Sequence, residues 1–321
     1  MIRSDLSDYR VGIDATQKFI ERARVKGIKI LYGASEYFLH NTDLWSRWLA
    51  RLGVTTHAIT MNAHDVGPDD MCLIVAHLFK ECASRDYIAI QTENLTTIYA
   101  HPGTYGNIDL TNSLKIMRGA VAVWDYSTSN VHCLKAHDDI HHAVPVPVMF
   151  SDNTKLFPTM VENNDFADRR CDVITSINTP RRRNLLRSLK QLRLSSVNMW
   201  RTKLPLKVHQ CRIFLNSHAF GETSALEIHR LIDLRNVPIV IISEKSEDNE
   251  YQETLKEIPF MKFEELAPYC HKVAKDRTLW ERLLREQLEM WHRIPDDRVY
   301  GALDQVLESV PVPTPLPENR A

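Results

Sequence analysis

The sequence predicts an α/β protein of two similar halves, each a parallel sheet wrapped by helices. Three observations carry this. The chain has 321 residues, and at roughly 100–200 residues per domain two domains are expected. Two successive series of short apolar runs alternate with segments of helical spacing, the pattern of parallel strands joined by helical crossovers. Between the series lies a polar stretch without a clean period, 151–170 (SDNTKLFPTMVENNDFADRR), which reads as the interdomain connection.

In the first half, 14–25 (DATQKFIERARV) has the spacing of an amphipathic helix, and Gly27 ends it. IKILYG at 28–33 is a short apolar run closed by glycine, a buried strand. LWSRWLARL at 44–52 is helical and TTHAIT at 55–60 a second strand. CLIVAHL at 72–78 is continuously apolar, as strands covered on both faces are. YIAIQ at 87–91, AVAVWD at 120–125 and HHAVPVPV at 141–148 continue the series, with a helix at 111–118.

The second half repeats the alternation. CDVITSI at 171–177 is a strand, 182–192 a helix, SSVNMW at 195–200 a strand, and CRIFLNSH at 211–218 a strand with a polar end. A helix over 223–234 leads to PIVIISE at 238–244, the strongest strand pattern in the chain. FMKF at 260–263 is a weaker strand, and helices run from about Glu264 to Trp291. The expected organisation is therefore two Rossmann-like domains, 1–155 and 165–295, their parallel sheets facing across a cleft, and a segment over 296–321 with a proline-rich tail.

Composition bounds the function classes. A formal net charge of -1 with 44% hydrophobic and 25% charged residues describes an ordinary globular protein, not a general nucleic-acid or membrane magnet. The six cysteines are widely spaced, with no CxxC pair and no Cys/His cluster of ligand spacing. They read as reduced thiols, and a zinc site is not expected. The opening MIRSDLSDYR lacks an apolar signal core, and no apolar run approaches the ~18 residues of a membrane span. The expectation is a cytoplasmic protein with no transmembrane segment.

Ligands of parallel α/β sheets bind beyond the carboxyl ends of the strands. That rule selects Gly33–Glu36, Gln91–Asn94, Asp125–Ser127, Asn178–Arg183, Asn216–Glu222 and Ser243–Asp248. One of these ends opens a strongly basic segment. No acidic residue lies between Asp172 and Glu222, and the same stretch holds ten Lys/Arg, Arg181, Arg182 and Arg183 among them. These three follow a strand and open a helix, where free N–H groups and the positive end of the dipole favour a phosphate or diphosphate. A solvated basic face or an RNA-binding patch has the same composition. Aromatics are sparse here, so base stacking is poorly supported and no nucleic-acid partner is expected. Glu227 and Arg230 sit three apart on the next helix, where the carboxylate can accept two ribose hydroxyls or simply pair with the arginine.

The segment from about 171 to 270 resembles the C-terminal half of CgeB-like GT-B glycosyltransferases. DVITSINTPRRRNLLRSL, IFLNSH, LEIHRL, IVIISE and PFMKFEEL occur in the order of that family, and IAIQTENL at 88–95 and VWDYS at 123–127 extend the likeness into the first half. The resemblance implies a GT-B fold and a nucleotide-diphospho-sugar donor bound mainly by the C-terminal domain. It implies that Glu227 holds the ribose, that Arg182, Arg183 and Arg230 are candidates for the diphosphate, and that Asn216, Ser243 and Glu244 line the donor pocket. His218, after the same strand, is a further candidate for donor contact, with a structural role as its alternative. The acceptor, a glycan, lipid or protein, would enter from the N-terminal domain.

No DxD motif of metal-dependent transferases occurs; Asp138-Asp139 and Asp296-Asp297 are adjacent pairs. The expected reaction uses no metal and no cofactor beyond the nucleotide sugar, with arginines neutralising the departing diphosphate. Glu36, Glu93 and Asp125, each near a strand end of the first domain, are candidate bases for the acceptor hydroxyl, one of them at most. The Glu-x7-Glu motif of many retaining relatives is absent, since Ala219 lies eight residues before Glu227. A catalytically silent GT-B binding or scaffold protein is the alternative. A dinucleotide enzyme is disfavoured, because IKILYGASEYF offers a single glycine where G-x-G-x-x-G is needed.

Overall fold

The computed structural model describes residues 6–33, 36–100, 110–146, 165–176, 179–199, 207–218, 226, 228–235, 237–246 and 250–294. These divide into two compact units, one formed by 6–93 and 110–146 and the other by 94–100 and 165–294. The connection over 151–164, the tail from 295 onward and Glu227 lie outside the described residues.

The first unit opens with helix α1 (Arg10–Lys26), which buries Ile13, Phe19, Ile20 and Ala23 at helical spacing. Gly27 closes it at φ 69, a left-handed conformation, and its N–H donates to the Ala23 carbonyl at 2.7 Å. A Cβ here would also lie 2.1 Å from the ring of exposed His57, which would have to move aside, so the positive φ is what requires glycine. Strand β1 (Ile28–Leu31), helix α2 (Glu36–Arg51) and strands β2 (Thr56–Thr60) and β3 (Met71–Val75) follow. β3 is buried at every residue, as its unbroken apolar run required, but the run ends in a short 3-10 turn over Ala76–Leu78 rather than as strand. Strand β4 (Asp86–Gln91), helices α3 (Leu95–Ala100) and α4 (Leu110–Gly119), strand β5 (Ala122–Asp125), helix α5 (Thr128–Asp138) and strand β6 (Ala143–Pro145) complete the order, with α3 belonging to the second unit. The sheet runs β2-β1-β3-β4-β5-β6, and every pairing is parallel.

The second unit contains β7 (Cys171–Ser176), α6 (Pro180–Gln191), β8 (Ser196–Met199), β9 (Cys211–Asn216), α7 (Ile228–Ile232), β10 (Val240–Glu244), α8 (Glu250–Thr254), β11 (Phe260–Met261), α9 (Phe263–Lys275) and α10 (Arg277–Arg293). Its parallel sheet runs β11-β10-β9-β7-β8. Counting each unit's strands from its own first, both sheets have the order 2-1-3-4-5, and the first adds a sixth. The two halves are alike in topology without sharing a sequence repeat. The core of the second unit joins Val173, Ile213, Leu215, Val240 and Ile242 of the sheet to Leu185 and Leu189 of α6 and Leu266 and Trp280 of α9 and α10.

Polar side chains fasten the amino-terminal edge of this second sheet. Arg169 donates to the carbonyls of Cys211 and Pro238 at 3.2 and 2.7 Å, tying β9 to the start of β10. Arg212 pairs with Asp172 at 2.5 Å, and Asp172 also accepts from the Ser195 amide and hydroxyl at 2.8 and 2.9 Å. Arg212, one of the ten basic residues, is therefore part of the sheet's closure. The opposite, carboxyl-terminal edge is where the candidate site lies.

Candidate functional site

In the second sheet the chain runs from β7 outward to β8, then returns past β7 to β9. The carboxyl ends of β7 and β9 flank this reversal, the position where open α/β sheets bind ligands. Helix α6 starts there. Thr179 is its N-cap, the hydroxyl accepting from the Arg182 amide at 3.3 Å, and Pro180 occupies the first turn. Proline removes one amide donor and the cap satisfies another. The helix start therefore offers fewer free N–H groups than its sequence suggests, although its positive end remains.

The three arginines of this turn have three different environments. Arg182 is 1% exposed. Its Nε donates to the Ser217 carbonyl at 2.8 Å, with Nη2 on the same oxygen, and Nη1 donates to the Ser176 carbonyl at 3.1 Å. It clamps the ends of β7 and β9 together, so its guanidinium is engaged by protein rather than presented to a diphosphate. Arg181 forms a two-pronged pair with Glu244 at the end of β10, one arm at 2.6 Å, and reaches the His218 carbonyl at 3.3 Å. Its guanidinium also stacks 3.7 Å from the centroid of the Phe263 ring. Arg183 is exposed, and its side chain has no hydrogen bond or ion pair among the described residues.

Glu244 is 1% exposed and accepts, besides Arg181, the His218 amide at 2.8 Å. His218 is fully buried, with its Nε2 2.8 Å from the Lys245 carbonyl, so this ring nitrogen carries the proton. Asn216 donates from Nδ2 to the Ser243 hydroxyl at 3.0 Å, and that hydroxyl donates to the Glu244 carbonyl at 3.1 Å. The ends of β9 and β10 thus form one connected polar lattice around Arg181.

The buried side-chain atoms of this lattice without a hydrogen-bond partner among the described residues include the adjacent Asn216 Oδ1 and Ser217 Oγ. A buried polar atom without a partner costs about 1–3 kcal/mol, and such groups are few in folded proteins. Here two of them adjoin at the switch point beside α6. Asn216 presents an acceptor, which needs a ligand N–H or O–H. Ser217 presents a hydroxyl able to donate to an anionic oxygen.

Of the other residues expected in the donor site, Arg230 is buried in α7, with its partners around it. The Glu227 position lies outside the described residues. Arg181 and Ser217 lie in segments that the sequence selected as strand ends, but neither is among the residues that the resemblance assigns to the donor. Arg182 shares a helix face with Leu185 and Leu189, at i, i+3 and i+7, and that spacing alone marks it as inward-facing. For Ser217 the sequence carries no comparable signal.

The three candidate bases lie on the first unit. Glu36 opens α2, and only its backbone is described. Asp125, at the end of β5, is 1% exposed, and its Oδ1 accepts from the Ser127 amide at 2.9 Å and from Asn130 Nδ2 at 3.0 Å, so it orders the β5–α5 turn. Glu93 follows β4. Its amide donates to Gln91 Oε1 at 2.8 Å, its carbonyl accepts from Asn130 at 2.8 Å, and its carboxylate lies 3.3 Å from His77 Nε2. Burial pushes the His77 imidazole down to about 4 and so keeps it neutral near pH 7, despite the nearby carboxylate.

Among the described residues, no group of three or more His, Cys, Asp or Glu is placed to hold a metal ion. No described helix is long and apolar enough to cross a membrane.

No family model matches the chain. It is similar to an uncharacterized protein of Acanthamoeba polyphaga mimivirus, 26% identical over 167 residues, half of this chain and 56% of that one. The chain thus spans about half the length of the curated relative that it matches. Among solved structures it resembles T4 phage BGT in complex with its UDP-glucose substrate, with a TM-score of 0.51 and 11% identity over 83% of this chain and 94% of that one. It likewise resembles an alpha-glucosyltransferase in complex with UDP and a 13-mer DNA containing a HMU base, TM-score 0.50 and 9% identity over 84% and 96% of the two chains. T4 phage BGT in complex with UDP and Mn2+ gives a TM-score of 0.50 and 10% identity, over 83% and 95%. The class defined by these likenesses and by the two parallel sheets is the GT-B fold, two Rossmann-like domains in one chain.

Proposed function

We propose that this protein is a glycosyltransferase whose second unit binds the nucleoside-diphosphate portion of a sugar nucleotide at the carboxyl edge of its sheet. The observation that carries the reading is the pair of buried, partnerless atoms, Asn216 Oδ1 and Ser217 Oγ, at the β7/β9 switch point. A sugar nucleotide supplies the groups they lack: a hydroxyl for Asn216 and a phosphate oxygen for Ser217. The GT-B fold and the resemblance of 171–270 to CgeB-like enzymes support the same reading.

In this proposal the arginines divide the work. Arg182 and Arg181 build the site, the first by clamping β7 to β9 and the second by neutralising Glu244. Arg183, exposed on the first turn of α6, contacts the diphosphate. As the bond from the anomeric carbon to the diphosphate breaks, charge grows on the leaving oxygens. A guanidinium and the positive end of α6 stabilise that charge where it develops. This chemistry does not call for a metal ion, and we propose that the reaction proceeds in EDTA. Glu227 holds the ribose, as the family resemblance implies.

The test is a thermal-shift screen of the purified chain against UDP-, GDP-, ADP- and dTDP-sugars. A ligand that binds the native state raises the melting temperature by mass action, about 2.7 kcal/mol of stabilisation at a hundred times Kd. One nucleotide class should shift the wild type and shift Arg183→Ala clearly less at the same concentration. No shift with any donor at millimolar concentration would remove the donor site and the proposal with it. Binding without release of nucleoside diphosphate, in any acceptor mixture, would favour the silent binding protein instead.

A further inference from the structure

Helix α6 gathers its exposed cations on one face and has no acid of its own to balance them. On other helices several exposed cations face acids: Arg22 and Asp86 at 2.7 Å, Arg277 and Glu281 at 2.7 Å, Arg10 and Asp14 at 3.9 Å, Arg282 and Glu286 at 3.9 Å. On α6, Arg183, Arg187 and Lys190 stand at i, i+4 and i+7 on one face, all exposed, and exposed Arg193 follows just beyond the helix end. None of the four has an ion pair among the described residues; Arg187 donates only to the neutral Asn184 side chain, at 3.0 Å. The helix itself carries no acid.

We infer that this face is a docking surface for the phosphate backbone of a duplex nucleic acid, held by Arg187, Lys190 and Arg193. Arg187 and Lys190 lie about 4.5 Å apart along the helix axis at 1.5 Å per residue, Arg193 follows just beyond, and a nucleic-acid strand presents one phosphate per ~3.4 Å of its axis. Several phosphates therefore fall within reach of the stripe at once. A membrane surface is a poorer match, because an interfacial helix needs an exposed apolar face. Leu185 and Leu189 of α6 point into the core, and the exposed large hydrophobics among the described residues, Val11, Val25, Ile59 and Met61, all belong to the first unit. A single strand is a poorer match too, since α6 offers no aromatic ring for a base to stack on. The near-neutral charge of the whole chain does not oppose this, because a Debye length of ~10 Å makes the interaction local. The inference departs from the expectation of no nucleic-acid partner, which rested on the near-neutral whole chain and on the scarcity of aromatic rings for base stacking; backbone docking of a duplex needs neither. The inference stands apart from the donor site: binding to α6 requires no sugar transfer.

The test is fluorescence anisotropy with a labelled mixed-sequence duplex of about 20 base pairs, titrated with the full chain between 50 and 200 mM salt. Three phosphate contacts predict a slope of log affinity against log salt of about -3. Arg187→Gln, Lys190→Gln and Arg193→Asn should each weaken binding about tenfold at 50 mM salt and reduce the slope by about 1. Lys18→Gln, an exposed cation of α1 in the first unit, removes the same charge and should change nothing. Circular dichroism melts check that each variant is folded, and the folded ones among the three decide the matter. Absence of duplex binding at 50 mM salt, or binding indifferent to the three substitutions, overturns the inference. So does tighter binding to the single strand of equal length or to phosphatidylglycerol vesicles. Donor-induced thermal shifts that persist in the α6 variants keep the two proposals separate.

Discussion

Adjacent arginines at the start of α6 should fail in opposite ways when replaced. Arg182→Met removes the clamp. The two carbonyls that it satisfies, Ser217 and Ser176, then lose their donors at a site that is 1% exposed. Each buried acceptor left alone costs about 1–3 kcal/mol. Methionine keeps most of the volume, so the cavity cost is small. Removal of a buried charge returns part of the loss. The net expectation is destabilisation of the second unit by about 3 kcal/mol, read as a lower urea midpoint with Trp280 and Trp291 in that unit as reporters. Arg183→Ala should stay within about 0.5 kcal/mol of wild type, because its exposed side chain has no hydrogen bond or ion pair among the described residues to lose. Loss of one charge-assisted bond of about 1.5–3 kcal/mol should instead weaken nucleotide-sugar binding roughly 10- to 100-fold in calorimetry. The reasoning is refuted if Arg182→Met unfolds like wild type yet abolishes donor binding, for then Arg182 faces the ligand and the clamp is illusory.

Three other outcomes are expected. Replacing Arg181 by Met should cost about 3–5 kcal/mol, because it leaves the buried Glu244 carboxylate without its cation, whereas the double variant Arg181→Met/Glu244→Met should recover most of that; additive losses in the cycle would contradict a coupled pair. The native imidazole of His77 is held at about 4, below the unfolded value near 6.5, so its contribution is fully present above pH 6.5 and is lost as pH falls toward 4; up to about 3 kcal/mol should disappear across that window, and a His77→Gln stability profile that falls just as steeply would exclude His77 as the cause. Under the proposed transferase activity, Glu93→Gln should lower kcat by about 100-fold with donor affinity unchanged, while Asp125→Asn should reduce stability through its turn contacts; the reverse pattern would exchange their roles.

Much of the fold was legible because parallel strands buried on both faces leave long apolar runs. β4, β7, β9 and β10 fall within two residues of their sequence boundaries for this reason, while the run of β3 goes on three residues past its strand into the 3-10 turn. Weaker signals read less well. FMKF gives a strand of only two residues, since Phe263 already opens α9. α5, with the sequence TSNVHCLKAHD, mixes poor helix formers and shows little amphipathicity; it depends on the Ser127 cap and on packing of Val131 and Leu134. The repeated 2-1-3-4-5 strand order was not legible, because strand order is set by pairings between distant segments rather than by local pattern. At the site, the basic segment was visible but the division of labour within it was not. Charge counts treat Arg181, Arg182 and Arg183 alike, whereas a helix turns about 100° per residue and sends neighbours to partner, core and solvent in succession. The orphaned atoms of Asn216 and Ser217 depend on which neighbours reach them, which no spacing in the chain records.

A crystal structure of the chain soaked with the nucleotide sugar selected by thermal shift tests the central claim most directly. The account predicts the diphosphate within hydrogen-bond reach of the Arg183 guanidinium and the Ser217 hydroxyl, with a ligand hydroxyl against Asn216 Oδ1. Density for the nucleotide at any other place, with those two buried atoms still bare, would contradict it.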